Sequence, residues 1–162
     1  MKIILIGFMG AGKTTVAKLL AEKLRLEYVD MDDLVLEKSA ESSIKEIFDK
    51  AGELAFRELE IAVAKELQHR QNVVLATGGG VVMNKIILDY LGQGGVIVFL
   101  KTSYEESESR ADKSTRPLFR DPVKAKDLYN FRLPLYERYA GMIIETDKKT
   151  AKTVADELIR QL

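Results

Sequence analysis

The chain has 162 residues, 46% of them hydrophobic and 31% charged, with 25 basic and 25 acidic side chains and no formal net charge. That is enough for one soluble core, and the zero balance gives no global field toward nucleic acid or an anionic membrane. With no cysteine there is no disulfide framework, thiolate chemistry or zinc–thiolate site.

Lys2-Ile3-Ile4-Leu5-Ile6 is a continuous apolar run, the pattern of a central parallel strand covered on both faces. It delivers Gly7-Phe8-Met9-Gly10-Ala11-Gly12-Lys13-Thr14, which satisfies G-x-x-x-x-G-K-[ST] in the strand–turn–helix setting that gives the pattern meaning. Backbone N–H groups from Gly10, Ala11, Gly12, Lys13, Thr14 and Thr15 are expected to surround a polyphosphate at the helix N-terminus. Lys13 would reach its β/γ-phosphates, and the Thr14 hydroxyl would sit on Mg²⁺. Met1 to Met9 loosely resembles a secretory signal, but its apolar part is short and runs into the loop. A cytoplasmic enzyme is expected, monomeric, with no nucleic-acid or membrane partner.

Val16, Leu19, Leu20 and Leu24 recur at helical spacing after the loop. A second strand, Glu27-Tyr28-Val29, ends in Asp30-Met31-Asp32-Asp33, acids placed where open α/β sheets bind ligands. Read as extended chain, Asp30 and Asp32 point to opposite sides, one toward a metal's water shell beside Thr14 and one toward an acceptor. Asp33 is read as a helix cap. Ser43 and Glu46 form a capping box for a helix to about Lys50. Gly52 breaks it, and a longer helix runs from about Glu53 to Gln68 with Phe56, Leu59, Val63 and Leu67 inward. Arg57 and Glu60, three apart, are neighbours on a different face. His69 is expected to be a surface residue.

Val73–Ala76 is the third strand and leads into Thr77-Gly78-Gly79-Gly80, where three glycines imply a close approach to the backbone. Asn84 caps a short helix to Leu91, Val96–Leu100 is the fourth strand, and Thr102 or Ser103 caps a helix carrying Arg110. Residues 112–122 read as a mobile loop. Asp121-Pro122 is a cap followed by proline at the first helical position, and Pro134 is expected to kink the helix that follows or restart it. A last strand, Met142–Thr146, precedes a helix from about Thr150 whose apolar line is Val154, Leu158 and Leu162. Five strands alternating with helices predict an α/β fold, a single domain over 1–162 with a mostly parallel sheet and helices on both faces.

A phosphate loop by itself fits a switch GTPase, a motor ATPase or a small-molecule kinase. No guanine-reading N-K-x-D follows a strand, and the third strand ends in glycines where a motor would carry acids. From Arg110 to Arg138 there are eight cations (Arg110, Lys113, Arg116, Arg120, Lys124, Lys126, Arg132, Arg138) and four acids (Asp112, Asp121, Asp127, Glu137). A solvated helix face would account for such charges, but beside a phosphate loop they suit an anion-covering segment and a small kinase. Arg57 and Arg132 are candidates for gripping an anionic substrate through forked bonds. Arg116, beside Pro117, is placed to reach the transferring phosphoryl group.

Taken together, the phosphate loop, Asp30-Met31-Asp32, Phe56-Arg57-Glu58-Leu59-Glu60, Thr77-Gly78-Gly79-Gly80, Arg116-Pro117-Leu118 and Arg132-Leu133-Pro134-Leu135-Tyr136 resemble the shikimate kinase family over nearly the whole chain. The resemblance implies ATP-dependent phosphorylation of the 3-hydroxyl of shikimate and a nucleoside-monophosphate-kinase fold with strand order 2-3-1-4-5. It implies that Asp32 binds substrate hydroxyls as base, that Arg57 and Arg132 hold the carboxylate, and that the Gly78–Gly80 turn, Gly79 above all, contacts substrate. Arg116 would be the lid arginine on ATP phosphates and Arg110 would lie against adenine. Thr14 would ligate Mg²⁺, with Asp30 reaching it through water. A substrate-binding segment near 32–60 and a lid near 111–124 complete that picture. Phe119 replaces a leucine common after Arg-Pro-Leu, and the adenine loop Asp147-Lys148-Lys149-Thr150 lacks a proline common among relatives. A gluconate-kinase-like enzyme is the alternative among kinases, and a nucleotide-binding regulatory module the alternative outside catalysis.

Overall fold

Alternation along the first strand sets the layering. In β1 (Lys2–Ile6) every residue is buried; Ile3 and Leu5 belong to one apolar cluster and Ile4 and Ile6 to another on the opposite face. Full burial of each such side chain contributes about 1.5–3 kcal/mol. A computed structural model describes residues 1–110 and 121–162. In it β1 lies at the centre of a five-stranded parallel sheet, flanked by β3 (Val73–Ala76) and β4 (Val96–Lys101), with β2 (Glu27–Asp30) and β5 (Met142–Glu145) at the edges. The order is β2-β3-β1-β4-β5, as the resemblance implied. Register pairs Leu5 with Ala76 and with Val98, so the chain leaves β1 and β3 at the same sheet edge.

Helices α1 (Lys13–Leu24) and α7 (Ala151–Gln161) cover the Ile3/Leu5 face. On the other face lie α2 (Met31–Ser39), α3 (Ile44–Leu67), α4 (Lys85–Gly92) and α6 (Pro122–Tyr139), with α5 (Tyr104–Arg110) after β4. Local chemistry places most ends where expected. The Ser43 hydroxyl accepts from Glu46 N at 3.2 Å, Asn84 caps α4, and Asp121 caps α6 with Pro122 in the first turn. Ser103 rather than Thr102 caps α5, accepting from Glu106 N; the Thr102 hydroxyl instead pairs with that of Thr146. Gly52 interrupts α3 with φ 83° and ψ 174°.

The Lys2 side chain, 1% exposed, donates to the Leu67 and Gln68 carbonyls at 2.9 and 3.0 Å. It thereby satisfies orphan acceptors at the C-terminus of α3 and ties that helix to β1. Burial lowers its pKa.

Three local expectations are corrected. Residues 31–33 are not extended: the Asp30 carboxylate accepts from Asp32 N at 3.1 Å, turning the chain into α2 at Met31. Asp30, not Asp33, is therefore the cap. Leu162 is 45% exposed, since α7 ends at Gln161 and its buried line stops at Leu158.

Candidate active site

Phosphate-loop geometry follows from its glycines. Gly10 takes φ +80°, and a Cβ there would meet the Ser107 carbonyl oxygen at 2.5 Å, so α5 packs directly on the loop backbone. Gly12, in left-handed conformation, starts α1. The Lys13 ammonium donates to the Gly7 and Phe8 carbonyls at 2.8 and 3.0 Å, folding its stem back over the loop.

A cleft of about 470 Å³ opens at this sheet edge. It is lined by Met9, Gly10, Gly12, Lys13, Thr14 and Thr15 from the loop, by Asp30 and Asp32 beyond β2, by Thr77, Gly78 and Gly79 beyond β3, and by Arg110. Ala11 lines a smaller neighbouring cleft of about 150 Å³ with Gly12, Thr15, Arg110, Thr146 and Lys149. Arg110 stands between the two, donating to the Thr146 carbonyl at 2.9 Å and to Glu106 at 2.7 Å. Lys149 is paired with Glu157 at 2.6 Å. Arg116 lies outside the described residues, as does most of the 111–124 segment.

Asp30 gathers three elements. One oxygen accepts from Asp32 N, while the other accepts from the Tyr28 hydroxyl at 3.0 Å and from the Thr14 hydroxyl at 3.4 Å. Tyr28, whose pKa is pushed up by burial and the Asp30 charge, was not among the expected site residues. Its spacing of two from Asp30 on a strand was the available signal.

The three consecutive glycines each face a polar group. A Cβ on Gly78 would come 2.9 Å from the Asp32 carboxylate. On Gly80 it would come 2.8 Å from the Arg57 guanidinium, and on Gly79 it would rest near Gly7 O, Met9 N and the Tyr136 hydroxyl at 3.6–3.7 Å. The turn thus holds the acid, the arginine and the phosphate loop against one strip of bare backbone. Arg57 and Arg132 do not line the cleft described above; Arg57 adjoins its end at Gly80.

Arg57 and Glu60 are neighbours as their spacing implied, the glutamate accepting from Arg57 at 2.6 Å. What the spacing did not indicate is the burial of Glu60, which is 1% exposed. Burial raises its pKa against the opposing pull of Arg57, and the nearby Asp32 charge adds to the rise. Arg132 is lowered by its own burial, and the like charge of Arg57 contributes. Its Nε is buried without a hydrogen-bond partner.

The raised Glu60 pKa makes a pH prediction. The unfolded carboxyl ionises before the folded one, so stability is fully present below the usual carboxylate range and declines as pH rises through the raised value. Thermal melts of Glu60→Gln and the parent should therefore show the variant gaining relative Tm from pH 4 to pH 8. A variant-minus-parent Tm difference that stays constant or falls with pH would mean that Arg57 outweighs burial.

A model of the shikimate kinase family matches residues 9–162. The shikimate kinase of Shewanella frigidimarina is 41% identical over 99% of this chain and 95% of its own length, and that of Shewanella amazonensis is 41% identical with the same coverage. Among solved structures, a shikimate kinase from Acinetobacter baumannii in complex with shikimate superposes with TM-score 0.91 at 38% identity, covering 99% of this chain and 91% of that one. The Aquifex aeolicus shikimate kinase gives 0.87 at 36% identity, covering 99% and 95%.

Proposed function

The chain belongs to the shikimate kinase family, and from that premise we propose how its residues divide the reaction. The reaction is ATP-dependent phosphorylation of shikimate at its 3-hydroxyl, giving shikimate 3-phosphate and ADP in aromatic biosynthesis. Phosphoryl transfer asks the protein mainly for positioning and charge neutralisation. Gly10, Ala11, Gly12, Lys13, Thr14 and Thr15 hold the triphosphate, Lys13 exchanging its two backbone carbonyls for phosphate oxygens. Arg110 borders adenine, and Arg116 is assigned to the transferring group by its sequence setting.

Asp32 receives the 3-hydroxyl as base, Arg57 and Arg132 grip the carboxylate, and Gly78, Gly79 and Gly80 lie along the ring. Segments 32–60 and 111–124 serve as substrate-binding insertion and lid within one domain. The hydroxyl of Thr14 and the carboxylate of Asp30, 3.4 Å apart, form the hard-oxygen pair that suits Mg²⁺ retaining part of its water shell. When bound, Mg²⁺ neutralises charge on the β- and γ-phosphate oxygens. The enzyme is read as a monomer, with shikimate and ATP as its partners. No helix among the described residues is long and apolar enough to cross a membrane.

The observation that carries this reading is the contact of Gly78 with Asp32 and of Gly80 with Arg57 beside the Lys13 cleft. An acid and a carboxylate-binding arginine are thereby set on one turn. The purified chain given ATP, Mg²⁺ and shikimate should form ADP and shikimate 3-phosphate in equal amounts. ATP turnover that ignores shikimate, or equal kcat/KM for gluconate, would overturn the assignment.

A further inference from the structure

A buried phenol is an unusual choice where phenylalanine would fill the same space. Tyr136 is 1% exposed, and its ring stacks on Phe99 at 5.0 Å and 19°. Phe99 pairs in register with Ile6, the residue before the phosphate loop. The ring is therefore fixed to the sheet independently of its hydroxyl. A hydroxyl in such a place must be hydrogen-bonded or it destabilises the core. Here it donates to the Gly79 carbonyl at 2.5 Å, reaching 57 positions along the chain to the middle of the triglycine turn. Gly79 in turn lies between that hydroxyl and the backbone of Gly7 and Met9.

Arg132 stands four residues before Tyr136 on α6, on the same face one turn away. Its guanidinium meets the like charge of Arg57, while the Tyr136 hydroxyl is committed to the Gly79 carbonyl. The turn that it holds is the same one that packs against Asp32 and Arg57.

We propose that Tyr136 is a positioning residue: its hydroxyl bolts α6 to the Gly78–Gly80 turn and thereby sets where Arg132 stands relative to Arg57. The inference rests on reading these two arginines as the grip on the substrate carboxylate. Without the hydroxyl, the ring stays stacked on Phe99, but the turn against Arg57 and the helix carrying Arg132 lose the bond that sets their spacing. The forked bond then forms less often and at poorer angles, and small misplacements of a clamp are costly in rate.

The test is Tyr136→Phe, assayed with shikimate and with its neutral carboxamide. We expect KM for shikimate to rise about tenfold, KM for ATP to stay within twofold, Tm to move by only a few degrees, and the preference for acid over amide to fall about tenfold. A general packing role would instead raise both KM values together and leave the acid preference unchanged; either result overturns the inference. Arg132→Ala is run alongside. If it abolishes the acid preference while Tyr136→Phe leaves it intact, Tyr136 alone has been misread. If Arg132→Ala also leaves it intact, the carboxylate-grip reading fails first.

Discussion

Lys13→Ala should lower kcat about a thousandfold while leaving the fold standing. The loop's shape does not depend on this side chain: the left-handed turns at Gly10 and Gly12, and the contact of Gly10 with Ser107, fix the backbone. The lysine's two bonds to the Gly7 and Phe8 carbonyls place its ammonium over the loop, ready to move onto phosphate. Removing a single preorganised donor to developing charge generally loses 10²–10³ in rate, and here the donor carries a full positive charge, which doubles such a bond's strength. About 4 kcal/mol of transition-state stabilisation corresponds to the thousandfold loss. The loss should fall on kcat more than on KM for shikimate, whose arginines are untouched. Steady-state kinetics with a thermal melt checks it, and near-normal kcat with an intact fold would remove Lys13 from the chemistry.

The parts of this site legible in the sequence are those whose cause is local. The phosphate loop, the five strands, and the caps at Ser43, Asn84 and Asp121 each need only a few adjacent residues. The Asp30 cap was local too, an aspartate followed by an acid three residues on, but a strand reading of Asp30-Met31-Asp32 concealed it. The cap changes the geometry: Asp32 sits in the first turn of α2, and Asp30 is shared between that cap and Thr14. Glu60 was illegible for a different reason. The charges that act on it include Asp32 and Arg132, which lie 28 and 72 positions away (60 − 32 and 132 − 60) and are brought near by the fold. Helical periodicity ranks a glutamate by its own helix's apolar face and cannot register what another helix lays over it. The same holds for Arg57 and Arg132: surface arginines by pattern, and in three dimensions like charges close enough to act on one another.

Asp32→Asn separates proton removal from orientation. Its carboxylate lies against Gly78, and the amide preserves size and one accepting oxygen while removing basicity. If Asp32 takes the proton of the 3-hydroxyl, kcat should fall 10²–10⁴-fold with KM for shikimate nearly unchanged, and the acidic limb of the kcat/KM profile should disappear. That limb cannot be ascribed to Asp32 in the parent enzyme alone. Glu60 lies near enough for the Asp32 charge to add to its raised pKa, so it is a second carboxyl whose ionisation the profile reads. Glu60→Gln removes that contribution, and adding Asp32→Asn should then abolish the limb that remains. Were Asp32 only an orienting group, the single variant would lose less than about tenfold in kcat, and its profile would keep the parent's acidic limb. The residual rate would then be set by the alignment of the hydroxyl with the γ-phosphate, a task the proposed reading gives to Arg57, Arg132 and the glycine turn.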